Sequence, residues 1–362
     1  MTRLLKYYFT KKWLLLVILA FTALQITLIG VSSTSYVTTY CADYELEIWV
    51  ETATNAPIVI PTVIAAVLAT IVPFMEFSFK MRKVNIDQYY SLPIKREKLY
   101  LATYIFGFLE VIIPTSVSYL VSFVSIFTKP SLFENIYFLP YYFILVLITL
   151  VLYTIITFVY TRNNTFADGL VNVILVTFAL CITVGAINNV LESLNIFKLK
   201  NAYFDASWYI LYSPHTYLSS IFKELLCDGR LSYYDNKASV VFISLSIFAI
   251  LGVLSFVFFI ILISKDKAEN CSQVSNSFIS YRVMIPLYVI TSMVLLRDTS
   301  VFMLIVISIA AFFLYVLYHR SFKFRKDSLI TLIASCAFGF ILAIVFYSME
   351  YSIIQTFLLG GL

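Results

Sequence analysis

Apolar residues run along this chain in blocks of about twenty, and the polar residues collect between the blocks. A helix that crosses the hydrocarbon of a bilayer needs about 20 mostly apolar residues. Windows of that size mark nine segments, at 13–31, 56–77, 101–121, 138–160, 166–188, 239–263, 283–296, 301–318 and 329–347. The seventh has only 14 residues and reads equally as a tilted or re-entrant piece. The side on which the C-terminus lies depends on whether it crosses. Composition supports the same picture. Of 362 residues, 61% are hydrophobic and 12% charged, against about 45–50% and about 25% in a soluble domain. So few charges cannot cover two soluble domains, so lipid is the solvent for most of the surface. The expected fold class is an all-α polytopic membrane protein.

Charge then orients the spans. Cytoplasmic loops carry an excess of Lys and Arg. With the N-terminus inside, 18 of the 25 basic residues fall in cytoplasmic segments. They include Lys11, Lys12, Arg162, Lys265, Arg282, Arg320, Lys326 and a group of six between Lys80 and Lys98. Most acidic residues fall outside, among them Asp43, Glu45, Glu47 and Glu51. The expected location is therefore the cell membrane, multi-pass, with a cytoplasmic N-terminus. The net charge of +5 follows from this topology and calls for no nucleic-acid partner. The first apolar run is read as a span rather than a signal peptide, because it is 19 residues long and lacks a small-residue cleavage site. The five cysteines show no metal or redox spacing. Cys41 and Cys227 both fall on the outer side, which leaves a disulfide between them open.

Two segments outside the spans carry information. In the loop 80–99, Met81, Val84, Tyr89 and Leu92 are spaced for one side of a short helix, with Arg82, Lys83, Asp87 and Lys95 on other sides. Ser91 and Pro93 mark a break and a new start, since Pro suits a first turn and disrupts a helix interior. An interfacial helix, a turn and a second helix leading into the third span are expected. Lying on lipid headgroups is the general reading of such a basic loop. On the outer side, Ser213 and Pro214 open a helix. Leu218, Ile221, Phe222, Leu225 and Leu226 repeat along it with helical spacing, and Gly229 ends it. This amphipathic helix, 213–228, is expected on the outer leaflet or capping the bundle, with His215 as a polar surface residue.

Few polar groups lie within the spans. Glu110 stands near the middle of the third, where a carboxylate must face a cavity or a partner, or take a proton. Pro114 cannot donate to the Glu110 carbonyl, and Thr115, Ser118, Ser122 and Ser125 continue a hydroxyl stripe. A kinked, polar-faced helix is expected, either lining a pathway or bonding to neighbouring helices. Glu76 and Asp168 sit near cytoplasmic ends of spans, where a carboxylate reaches the interface, and Arg162 is near enough in sequence to pair with Asp168.

Several chemistries are excluded by what is missing. No Gly-x-x-x-x-Gly-Lys-Ser/Thr phosphate loop occurs. His215 and His319 are the only histidines and cannot form a His-Glu-x-x-His zinc site. No Gly-x-Ser-x-Gly elbow is present. The chain is therefore not expected to be an enzyme or to hold a cofactor or metal, and its energy must come from elsewhere. A proton-coupled carrier stays open, because Glu110, Glu76 and Asp168 can titrate, although no inverted repeat is evident.

The stretch Asp-Gln-Tyr-Tyr-Ser-Leu-Pro-Ile-Lys-Arg-Glu-Lys-Leu-Tyr-Leu, from Asp87 to Leu101, resembles the loop between spans two and three in permeases of the ABC-2 type exporter class. The segment from Lys265 to Glu269 resembles that family's charged element after span six. The resemblance covers roughly residues 1–270. It implies a six-span core over 1–263, a cytoplasmic linker over 264–282 and about three added spans over 283–362. It further implies that Asp87, Tyr89, Tyr90, Leu92, Pro93, Arg96 and Glu97 couple the permease to a separate ATPase subunit that binds ATP and Mg²⁺. A second permease copy or paralogue would complete the complex. Glu110, Pro114, Ser118 and Ser122 become pathway candidates, and Leu218, Phe222 and Leu225 become an outer gate. The expected function is ATP-driven export of an amphipathic substrate such as a peptide, a lipid-like molecule or a drug. An ion-coupled carrier and a non-transporting accessory or immunity protein are the alternatives.

Overall fold

The computed structural model describes residues 2–32, 37–43, 46–52, 56–91, 94–127, 138–176, 182, 186, 215, 218, 238–263, 271, 273, 281–296, 301–322 and 326–359. The helices are α1 (Thr2–Ser32), α2 (Ala56–Phe77), α3 (Lys83–Tyr90), α4 (Arg96–Phe127), α5 (Phe138–Thr161), α6 (Phe166–Val176), α7 (Ala238–Ile263), α8 (Tyr281–Leu295), α9 (Val301–His319) and α10 (Lys326–Leu359). A single 3₁₀ turn, Ser78–Met81, joins α2 to α3. Among the described residues, five helices are long and apolar enough to cross a membrane, and four further apolar helices are shorter. Large apolar side chains such as Ile29, Phe143, Val253, Phe302 and Ile330 stand more than half exposed on them. In water such continuous apolar surface is not tolerated, so these faces meet lipid. The chain is a helical, multi-pass membrane protein.

Between α1 and α2 lies one element that the apolar pattern did not mark. Strands β1 (Val37–Asp43) and β2 (Leu46–Thr52) pair antiparallel, with Val37 opposite Thr52 and Asp43 opposite Leu46. Val, Thr, Tyr, Ile and Trp predominate there, and such side chains fit a pleated surface better than a helix.

The residues divide into two compact units, 1–158 with 213–269, and 159–212 with 270–362. This differs from the linear division expected at residue 263. The physical reason lies in α6, whose Leu175 packs with Tyr281, Ile285, Leu304 and Ile307 of the C-terminal helices.

In the first unit, α1, α2, α4, α5 and α7 form a bundle whose direction can be read from cross-helix contacts. Tyr8 and Thr27 of α1 bond to Thr103 and Ser118 of α4, so these two helices run parallel. Thr62 of α2 bonds to Tyr141 of α5 at 2.6 Å, and Tyr104 of α4 bonds to Thr154 of α5 at 2.6 Å, so α2 and α5 run the other way. The basic end is where α1 and α4 begin, α2 ends and α3 lies. Lipid tails give no hydrophobic drive between helices, so contact comes from close packing and from such hydroxyl bonds. Gly252 of α7 shows the packing: a Cβ there would stand 2.9 Å from Val151 of α5.

The second unit is built around Tyr281, Ile285, Val289 and Met293 of α8, packed on α9 and α10. A cleft of about 420 Å³ opens between Ile174 and Leu175 of α6, Tyr288 of α8, and Ala310, Phe313 and Leu317 of α9. Its walls are almost wholly apolar, which leaves no polar group to orient a solute beyond the Tyr288 hydroxyl.

Candidate functional site

The loop at the basic end folds as a helix, a turn and a helix. Helix α3 begins after Arg82 in extended backbone, and the Ser91 N–H closes it by donating to the Asp87 carbonyl. Helix α4 starts at Arg96, with Glu97 in its first turn, where a carboxylate favours the helix dipole. Which face of α3 is buried differs from the expected stripe. Val84 is 81% exposed, whereas Ile86 is buried. Ile86, Tyr89 and Tyr90 lie at i, i+3 and i+4 and form the inner face, while Lys83, Val84, Asp87 and Gln88 point to solvent. A helix this short is turned by whichever side chains meet neighbours, and the aromatic residues have the larger area to bury. Leu92 and Pro93 lie outside the described residues.

From that inner face an aromatic column leads into the bundle. Tyr89 packs on Phe79 with ring centroids 4.6 Å apart, and Phe79 packs on Tyr100 at 5.6 Å. The Tyr90 hydroxyl lies 2.9 Å from that of Tyr100, and the Arg96 guanidinium covers the Tyr90 ring at 4.3 Å. Phe259 of α7 sits between Tyr100 and Tyr104, and Tyr104 packs on Tyr153 of α5 at 5.1 Å. The column therefore joins α3, α4, α5 and α7 by edge and tilted ring contacts. Tyr100, Tyr153 and Phe259 were not singled out in the sequence, where an aromatic residue in a span is indistinguishable from an interface anchor.

Beside the column lies a cluster of charges. Lys12 of α1 is ion-paired with Glu76 of α2, and Glu110 of α4 stands next to both. The Lys12 ammonium also lies over the rings of Tyr8 at 5.6 Å and Phe106 at 5.9 Å. Glu76 was expected at the interface; it is instead 3% exposed, and Glu110 is fully buried. The helices come this close because residue 107 is glycine. A Cβ at Gly107 would overlap the Tyr153 hydroxyl and approach Glu76 Cγ to 3.1 Å. Pairing across 64 residues of sequence cannot be read from spacing, so Lys12 looked like one more topogenic cation.

The rest of the polar stripe on α4 is buried within the bundle. The helix is continuous through Pro114, which is buried. Ser118 takes a hydrogen bond from Thr27 of α1 at 2.7 Å, and Thr115 donates back to the Val111 carbonyl at 2.8 Å. The Ser122 hydroxyl is buried and makes no hydrogen bond among the described residues.

His215 and Leu218 depart from expectation. Leu218 is buried among Ile58, Tyr119, Phe138, Tyr141 and Leu145. His215 is 2% exposed, with Nε2 3.2 Å from the Thr149 hydroxyl. Thr149 lies eleven residues into α5 from Phe138, about 16 Å along the helix axis and so about half the thickness of a bilayer core. His215 is therefore an interior residue and not a surface one. Helical spacing alone cannot distinguish a helix lying on a bundle from one entering it. Phe222, Leu225 and Cys227, the Cys41 side chain, and the charged segment 265–269 lie outside the described residues.

In the second unit Asp168 is partnered by Arg320 at 3.4 Å and by the Tyr281 hydroxyl at 3.2 Å. Asn172 and Asn163 bond to each other close by. Among the described residues no three His, Cys, Asp or Glu side chains form a group able to hold a metal ion.

The chain matches no known family model, no curated protein and no solved structure.

Proposed function

We propose that this chain is the membrane-spanning permease subunit of an ATP-driven exporter of the ABC-2 type. A separate ATPase chain would hold ATP and Mg²⁺, and a second permease, identical or paralogous, would complete the assembly in the cell membrane. The observation that carries the reading is α3. Its outer face, with Lys83, Val84, Asp87 and Gln88, is open to solvent, and its inner face is tied to α4 through Tyr90 and Tyr100. A helix exposing an aliphatic side chain between charges at a membrane surface suits docking to a protein partner. One whose other face is an aromatic column passes displacement on, because packed side chains are little compressible.

In this mechanism ATP binding closes the ATPase dimer and pushes α3. The push reaches α4, α5 and α7 through Tyr89, Tyr90, Phe79 and Tyr100. His215 and Leu218, seated against α2, α4 and α5, would then shift and open the far end to an amphipathic cargo. The experiment is co-purification with an ATP-binding subunit, together with ATP-driven export. Val84→Asp and Asp87→Lys should abolish both while leaving the helical content and thermal stability of the permease unchanged. Full assembly and export in both variants would remove the coupling assignment.

A second reading is favoured by one observation, the buried carboxyl of Glu110. An ion-coupled carrier would need such a group. Export into ATP-free vesicles driven by an imposed proton gradient would support the carrier over the ATPase-dependent permease.

A further inference from the structure

The charges gathered around Glu110 do not balance. Lys12 contributes one cation; Glu76 and Glu110 bring two carboxyls, both closed off from solvent. One Glu76 oxygen takes the Lys12 ammonium. Glu76 Oε2 and both oxygens of Glu110 have no hydrogen-bond partner among the described residues. Lys80, in the turn after α2, is also buried, but it makes an interaction of its own and bonds to none of these three oxygens. On α1 the Tyr8 hydroxyl is bonded to Thr103, on α5 Tyr153 donates its proton to the Tyr104 carbonyl, and α7 presents Phe256 and Phe259. A second ionised carboxylate beside the first would be stripped of water, unpaired and repelled by its neighbour.

We propose that Glu76 and Glu110 form a proton-binding site, holding one exchangeable proton between them, so that one ammonium and two carboxyls carry no net charge. The Lys12 side chain, 25% exposed, opens the cluster toward the basic end and gives the proton its route in and out. The hydrogen bond that the shared proton makes would occupy two of the three unpartnered oxygens. This inference does not rest on the transporter reading, since the charge count holds whatever moves the cargo.

Infrared spectroscopy of the full chain in lipid nanodiscs at neutral pH reads the proton directly, through the carbonyl stretch of an undissociated carboxylic acid. The wild-type chain should show one such band. Glu110→Gln should remove it. Glu76→Gln should remove it as well, because Lys12 then balances an ionised Glu110. Lys12→Met should roughly double it, because both carboxyls must then be neutral. Asp168→Asn, in the second unit, should leave it unchanged. Circular dichroism and thermal melts confirm that each variant is folded, and the near-isosteric Gln substitutions keep the packing. Absence of the band in the folded wild type, or its persistence in Glu110→Gln, overturns the proposal. So does loss of the band on adding sodium chloride at constant pH, which would assign the site to a metal cation.

Discussion

Gly107 permits a quantitative test of how the first unit is held together. A methyl group at this position would overlap the hydroxyl of Tyr153 and press on Glu76 Cγ at 3.1 Å. Tyr153 is fully buried and cannot swing away without giving up its 3.0 Å bond to the Tyr104 carbonyl. Overpacking costs about 1–3 kcal/mol, and the lost hydrogen bond adds about 1 kcal/mol. Against this, Ala is better than Gly in a helix interior by about 1 kcal/mol. Gly107→Ala should therefore destabilise the chain by about 1–3 kcal/mol. Tyr153→Phe removes the obstructing oxygen, so the double variant should cost clearly less than the sum of the two single ones, with a coupling of about 1 kcal/mol or more. Unfolding in mixed micelles, titrated with a denaturing detergent and followed by tryptophan fluorescence, supplies the four corners of the cycle. A Gly107→Ala chain as stable as wild type or more so, with no coupling to Tyr153→Phe, would refute the seating of the Tyr153 hydroxyl against residue 107.

Other perturbations separate buried from exposed interactions. Lys12→Met should cost about 3 kcal/mol by stranding the Glu76 carboxyl, whereas Lys12→Met with Glu76→Met should recover most of it, since an apolar pair replaces a buried ion pair at little loss; detergent melts of the single and double variants check this. Arg320 is half exposed, so Arg320→Ala should cost under about 1 kcal/mol. Tyr281→Phe removes a hydrogen bond to a buried carboxylate and should cost more, about 1.5–3 kcal/mol; the ranking is read from the same melts. His215→Leu should be close to neutral in a melt, because Nδ1 is buried without a partner among the described residues, while Thr149→Val should cost about 1–3 kcal/mol by removing the partner of Nε2.

What the sequence made legible follows from how local each feature is. Residues 56–77 were bounded as a helix to the residue, and the break after Ser91 was placed, because hydropathy and proline act on their own neighbours. The facing of α3 was not legible, because eight residues with Val84, Ile86, Tyr89 and Tyr90 satisfy two stripes nearly equally and tertiary contacts choose between them. Glu110 was recognisable as costly wherever it pointed. Its companions were not, since Lys12 and Glu76 each have an ordinary explanation at a helix end. The same holds for His215, whose burial depends on the path of a segment that the period of its apolar residues does not specify.

The charge cluster also limits how the first unit can move. Besides apolar packing, contacts among the described residues that hold α1 to α2 and α4 include the Lys12 pair, the Lys12 ammonium over Phe106, the Tyr8 to Thr103 bond and the Thr27 to Ser118 bond. Much of the outer surface of α1 meets lipid. Interhelical hydroxyl bonds in membranes average only about 0.6 kcal/mol, so the ion pair dominates the polar cost of separating α1. Helix α4 lies most extensively along α1 and α2, and it also meets α3 through Tyr100, α5 through Tyr104 and Gly107, and α7 through Phe259. Any movement of α1 that withdraws Lys12 would leave the two glutamates needing a second proton to stay neutral. Displacement of α1 and uptake of a proton would then be coupled, and acid pH should favour the displaced state.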